Sequence, residues 1–174
     1  MNLQELALIN FEGYDSDSNR FLGLTSCDLP DIEYETTDIN GSGISGTLSF
    51  PIKGNFSNFT STFHFRTLTA AGCKILSQNR GHHLSLRGAK EVFDAGSGER
   101  KVVPVRVDMR CHGTKLTAGK LEAGSTMDTE LEVMLDALKI TIDGKTVLEI
   151  DKFNYVYSVD GEDMLSDVSA ALGL

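Results

Sequence analysis

The segment 126–159, TMDTELEVMLDALKITIDGKTVLEIDKFNYVYSV, decides how the rest of this chain is read. Its first arm sets Glu130 and Glu132 against Leu131, Val133 and Leu135, the two-residue period of a strand with one solvated face. Asp143-Gly144 then stands between two β-rich arms, and a two-residue hairpin turn needs the positive φ that these residues tolerate. In both arms the apolar parity changes. Odd positions are apolar up to Leu135, and even ones from Leu138 to Ile142; in the second arm, Leu148 and Ile150 give way to Phe153, Tyr155 and Tyr157. A strand switches faces only at a bulge, at a bend, or where both sides are buried. The pattern predicts two long arms, 127–142 and 145–159, passing from one packing environment into another.

Working outward, 6–14 and 21–29 are apolar-rich arms around the turn formers Asp15-Ser16-Asp17-Ser18-Asn19, which predicts an N-terminal hairpin. After Pro30, Asp31, Glu33 and Glu35 alternate with Ile32 and Tyr34, predicting a strand with an acidic face. The segment 36–58 is rich in Gly, Ser, Asn and Thr and is expected to be a long loop. Ile44, Leu48, Phe50 and Ile52 could anchor it on a neighbour. Phe59, Phe63 and Phe65 alternate with polar residues in a strand, and Thr69 can cap a helix over 70–78. Strands at 83–93 and 100–113 follow, the second with Val103, Val105, Val107, Met109 and Cys111 on one face, and 114–125 is expected to be a polar loop. Asp160-Gly161 introduces a C-terminal helix over about 162–172, with Met164, Leu165, Val168 and Leu172 on one face. Together these predict one mainly β domain over 1–174, a β-sandwich or split barrel of about seven strands with one or two short helices.

Composition narrows the function. A net charge of −9 disfavours a grip on nucleic acid, which needs clustered Lys and Arg, but suits a wall past which DNA slides. No stretch approaches the eighteen apolar residues of a membrane span, and residues 1–7 carry no basic run or apolar core, so no leader is expected. Three cysteines without CxxC spacing, Cys27, Cys73 and Cys111, are expected to be reduced thiols.

Candidate chemical sites do not survive inspection. Gly41 to Gly46 spells GxGxxG, but Thr47 to Pro51 reads as extended, whereas a pyrophosphate site needs a helix N-terminus there. Asp15, Asp17 and Asn19 open like a calcium loop, yet Arg20 and Ser26 occupy the positions of its Gly and bidentate Glu. His82 and His83 alternate along a strand. His64, His112, Cys73 and Cys111 lack zinc spacing. No catalytic residue, metal or cofactor is expected, and an enzyme is not.

The order and spacing of several segments resemble the major tail tube proteins of contractile-tailed bacteriophages and related phage-tail-like bacteriocins. The carriers are Gly98-Glu99 with Val102-Val103-Pro104-Val105-Arg106-Val107-Asp108-Met109-Arg110, then Asp128-Thr129-Glu130, Ile142-Asp143-Gly144 and Val147-Leu148-Glu149-Ile150-Asp151. Val159-Asp160-Gly161, the ending Gly173-Leu174, the opening Asn10-Phe11-Glu12-Gly13-Tyr14, Leu29-Pro30 and Asn40-Gly41 add to it. The N-terminus departs from the family in lacking a basic start. The resemblance implies hexameric rings that stack into a hollow tube inside a contractile sheath, with strands of adjacent copies joined in one ring-wide barrel. It implies as partners further copies of the chain, the sheath, the baseplate and the tail terminator. DNA would pass through the lumen without specific binding, in a virion assembled in the host bacterial cytoplasm. On that reading Asp31, Glu33, Glu35, Glu130 and Glu132 are lumen candidates, and Ile44, Leu48, Phe50 and Ile52 ring-stacking candidates. Glu162, Asp163 and Asp167 are candidates for the outer, sheath-facing side. A secretion or bacteriocin injection tube is the near alternative, and a small β-barrel ligand-binding protein the distant one.

Overall fold

A computed structural model describes residues 3–174. The absence of a leader was expected from residues 1–7, of which 1 and 2 lie outside the described part. In chain order the elements are β1 Leu3–Asp15, β2 Arg20–Phe21, β3 Leu24–Asp28, β4 Tyr34–Ile39, β5 Leu48–Phe56, β6 Phe59–Phe65, α1 Ala70–Ile75 and β7 His82–Asp94. They continue with β8 Glu99–Thr117, β9 Thr129–Ile142, β10 Lys145–Asp151, β11 Val156–Val159, β12 Glu162–Asp163 and α2 Ser166–Leu172. Ten of these strands form one antiparallel sheet in the order β12-β11-β10-β9-β8-β7-β1-β2, with β6 and β3 branching from β9.

The branch explains the parity switch of β9. Its N-terminal half pairs β6, from Thr129 opposite Phe65 to Leu135 opposite Phe59, while Ala137 to Ile142 pair β10. Between them the ladder to β8 slips, with Cys111 opposite Leu135 and Arg110 opposite Ala137, so Asp136 is the extra residue of a bulge. Leu131, Val133 and Leu135 are buried before it and Leu138 after it. The expected change of environment therefore falls at one residue.

The second arm differs from expectation. β10 stops at Asp151, and β11 folds back on it with Ile150 opposite Tyr157. The Asp151 carboxylate accepts the backbone N–H groups of Phe153 and Asn154 at 3.0 and 3.1 Å, which holds a tight turn at residues 152–155. The second parity change is this turn, and Phe153 is left 77% exposed. No Gly or Pro marks it in the sequence. Asp143 and Gly144 have φ of 51° and 75°, the double positive φ of the expected hairpin turn. Asp160-Gly161 makes a second such turn into β12, so α2 begins at Ser166, later than expected.

The N-terminal hairpin is only two pairs long, Tyr14–Phe21 and Asp15–Arg20. β1 pairs instead with β7, and β3 crosses to β6. Thr69 caps α1 as predicted, its Oγ1 accepting the Gly72 N–H at 3.1 Å, but the helix ends at Ile75. β8 runs on to Thr117, through the start of the expected 114–125 loop.

Both branches of the sheet feed one core. Phe59, Phe63 and Phe65 of β6 meet Leu84 and Leu86 of β7, Val107, Met109 and Cys111 of β8, Leu131, Val133 and Leu135 of β9, and Ile75 of α1. Burying each large side chain contributes about 1.5–3 kcal/mol, so folding the sheet over itself is driven by this face. The architecture is the expected mainly β one, with more and shorter strands.

The segment 36–58 is a hairpin, not a loop. β4 and β5 pair only with each other, with Ile39 opposite Leu48 and Thr37 opposite Phe50, and residues 40–47 form its tip. Pro51 is tolerated because a two-stranded ribbon has outer edges that need no N–H. The acidic strand expected at Asp31 to Glu35 is also corrected: residues 31–33 are irregular, and only Glu35 lies on a strand.

Candidate functional site

No catalytic pocket organises this molecule; its candidate site is a set of surfaces. The first is the hairpin. Its root is fixed by aromatic packing, with Tyr34 stacked on Phe56 at 5.0 Å and Phe56 edge-on to Tyr157 at 4.9 Å. The Tyr34 and Tyr157 hydroxyls hydrogen-bond, and burial together with Tyr34 pushes the Tyr157 phenol up to about 12. Lys152 lies 4.4 Å over the Phe59 ring and donates to the Ser57 carbonyl at 2.6 Å. Burial lowers its pKa, with Glu35 opposing. Gly54 is required at the root: its φ is 76°, and a Cβ there would stand 2.5 Å from Leu165 Cδ2. Lys53 pairs with Asp167 at 2.7 Å, tying the ribbon to α2.

Beyond this root the ribbon is uncovered. Leu48, Phe50 and Ile52 alternate along β5 and share one face with Ile39, across from Leu48, and Phe50 is 54% exposed. Ile44 is exposed at the tip, while Ile52 sits lower, in a shallow groove with Tyr34, Tyr157 and Met164.

The five candidate lumen carboxylates fall in two places. Glu130 and Glu132 lie on the solvated face of β9, opposite His64 and Thr62 of β6. His64 lies between Glu130, 3.4 Å away, and Asp28, 2.9 Å away. Thr114 Oγ1 donates to the Glu132 carbonyl at 3.0 Å. Glu35 stands instead at the hairpin root, accepting from Ser57 Oγ at 3.3 Å, with exposed Asp31 and Glu33 preceding it. Of the outer-face candidates, Glu162 and Asp163 form β12 and are exposed, though Asp163 Oδ1 accepts the Leu165 N–H at 2.8 Å. Met164 and Leu165 pack inward as expected. Leu172 does not; it is 62% exposed.

The expected chemical sites resolve into local structure. Asp15 accepts from Asp17 N and Ser18 Oγ and closes its own turn. The glycines of GxGxxG lead into β5. Burial pushes the thiols of Cys27 and Cys111 up to about 11 and about 12. Among the described residues no His, Cys, Asp and Glu cluster is arranged to hold a metal, and no helix is long and apolar enough to cross a membrane.

One surface was not predicted. β7 and β8 stay paired out to Asp94–Glu99, but the β8–β9 ladder starts only at Val105–Ile142. β1, β7 and β8 therefore overhang the core, and residues 99–104 of β8 have an open edge. On the far side, β2 covers only Tyr14 and Asp15 of β1, leaving residues 3–13 open. Two bulges in β1 push out Leu6 and Ile9, and Leu3 and Leu8 are also exposed. Under the overhang lies an apolar cleft of about 320 Å³ bounded by Leu8, Phe11, Leu29, Leu86, Val105 and Val107. The irregular spacing of Leu3, Leu6, Leu8 and Ile9 is its one trace in the sequence.

Comparison with known proteins gives these surfaces a context. The sequence model of a family described as phage tail tube protein FII matches residues 6–173. The tail tube protein of Escherichia phage P2 is 31% identical over 84 residues, covering 46% of this chain and 49% of that protein. The major tail tube protein of Serratia phage KSP20 is 28% identical over 85 residues, covering 48% and 47%. The chain thus spans about half the length of the curated relatives it matches. In fold it is similar to a chain of the sheath–tube complex of an extracellular contractile injection system, PVC, with TM-score 0.50, 15% identity, and 75% of this chain and 87% of the other covered. A chain of the PVC sheath/tube terminator gives TM-score 0.53 at 14% identity, covering 78% and 96%. The anti-feeding prophage tube-terminating cap gives 0.52 at 18%, covering 75% and 87%. With the match running over nearly its whole length, the chain belongs to the phage tail tube protein FII family.

Proposed function

We propose that this chain is the subunit of a tail tube, copies of which join side by side into hexameric rings that stack into a hollow conduit inside a contractile sheath. The observation that carries this reading is the overhanging sheet, open along β1 on one side and along residues 99–104 of β8 on the other. A long unpaired edge with exposed Leu3, Leu6, Leu8 and Ile9 is an invitation to pairing, and closure of a ring-wide barrel satisfies it.

In the assembled tube, Asp31, Glu33, Glu35, Glu130 and Glu132 contribute to a wall that repels DNA phosphates and lets the genome slide without specific binding. The hairpin reaches the adjacent ring and buries Ile44, Leu48, Phe50 and Ile52. Glu162, Asp163 and Asp167 face outward to the sheath, and the tube ends meet the baseplate and the terminator. Its place is the virion tail, after assembly in the host bacterial cytoplasm. A tube of an injection system is the second reading, favoured by the likeness in fold to the PVC tube complexes; it shares the assembly and differs in cargo.

Negative-stain microscopy and size-exclusion chromatography of the purified chain test both readings. Rings or tubes are expected. A strictly monomeric species at high concentration that binds a small molecule tightly would overturn them in favour of a ligand-binding barrel.

A further inference from the structure

The cleft under the overhang and the apolar face of the hairpin are each uncovered within one chain, and they sit at opposite ends of the sheet. The hairpin root packs against β11 and α2, whereas the cleft lies at β1 and β7. Five strand steps separate β11 from β1, on the order of 24 Å at the usual spacing between strands. None of the hairpin's residues lines the cleft of its own chain.

We infer that the cleft is the socket for the hairpin of a second copy, with Leu48 and Phe50 seated among Leu8, Phe11, Val105 and Val107. This rests on the tube reading and names the surface that the hairpin meets. Three features select the hairpin as occupant. Its apolar residues share one face, Ile39, Leu48, Phe50 and Ile52, so they enter together. The cleft walls are almost wholly aliphatic and aromatic, and docking removes both apolar surfaces from water at once. Charge also matches. Residues 31–52 carry four acidic groups, Asp31, Glu33, Glu35 and Asp38, and no Lys or Arg. Residues 87–106, which build the overhang, carry five cations (Arg87, Lys90, Arg100, Lys101 and Arg106) against three anions (Glu91, Asp94 and Glu99), a net of +2 in a chain of −9. Such opposition steers the two surfaces together and disfavours hairpin against hairpin.

The test is a cross-link. In a Cys73→Ser background, Leu8→Cys and Phe50→Cys are placed in one chain, tubes are assembled, and the thiols are oxidised. The expected result is a ladder on a non-reducing gel with steps of 18.9 kDa, whereas equal mixtures of the two single variants give linked pairs only. Normal tubes with no linkage above the single-variant background would overturn the socket and leave the tube reading standing. Failure of the unsubstituted chain to form any tube would reject the tube reading itself. Val105→Glu is the second arm. It should cut polymer yield at least tenfold with the monomer's melting temperature unchanged, and wild-type polymerisation of a folded Val105→Glu chain would overturn the proposal.

Discussion

Arg110 Nε donates to Asp136 Oδ1 at 2.8 Å at the one residue where β9 changes its partner from β6 to β10. The same guanidinium reaches Asp151 through Nη2 at 3.0 Å, and His112 Nε2 stands 3.5 Å from Asp136. Desolvation opposes the charge on Arg110, but hydrogen bonds to Asp151 and Asp136 outweigh it and raise its pKa. One fork of charge thus ties the bulge to the turn at the end of β10. Asp136→Ala should leave the half-buried guanidinium short of a partner and lower stability by about 2–4 kcal/mol, as removing one member of a buried pair does. Urea unfolding checks it; a loss under about 0.5 kcal/mol would mean that the backbone alone sets the bulge.

Asp151 gives the fork a pH dependence. Burial pushes its carboxyl up, yet hydrogen bonds from Asn154 and Arg110 outweigh that and hold it below the usual carboxylate range. A depressed native pKa contributes stability that is present above the unfolded value, about 3.9, and is lost as pH falls through the lower native value. Melting temperature should fall below about pH 4, and Asp151→Asn should flatten that acid limb. An unchanged limb in the variant would count against the assignment.

At the hairpin root, Phe56 contacts Tyr34, Tyr157 and Phe59. Phe56→Ala should cost about 2–4 kcal/mol and expose the ribbon to protease cleavage at its glycine-rich tip. The exposed Lys53–Asp167 pair should matter far less, under about 1 kcal/mol for Lys53→Ala. Equal protease sensitivity of the two variants would show that the ribbon is held by charge and not by ring packing.

Removing residues 43–50 takes away the tip together with Leu48 and Phe50, but nothing from the core. The shortened chain should remain folded and monomeric and fail to grow tubes, as seen by circular dichroism and microscopy. Tubes of normal length would show that the hairpin is not the stacking element.

Replacing Glu130 and Glu132 by Lys changes the charge of a solvated face without touching the buried Leu131 and Val133. Tubes should still form, and delivery of DNA should fall. Undiminished delivery from such tubes would put this face of β9 away from the lumen.

The chain alone determined what is local. Alternation of Leu131, Val133 and Leu135 is a strand signal at any position, and Asp143-Gly144 needs only its own backbone to turn. Even the break in β9 was legible, because side chains cannot change faces without an extra residue. What the tertiary structure decided depends on residues far apart in sequence. The turn after Asp151 shows no glycine, because a side chain accepts the backbone donors there. The segment 36–58 resembles a loop because its hairpin is held by Phe56 and Tyr157, a hundred residues apart. The overhang that bears the open edges exists only because β8 runs past the end of β9, a matter of relative strand length that no single segment records.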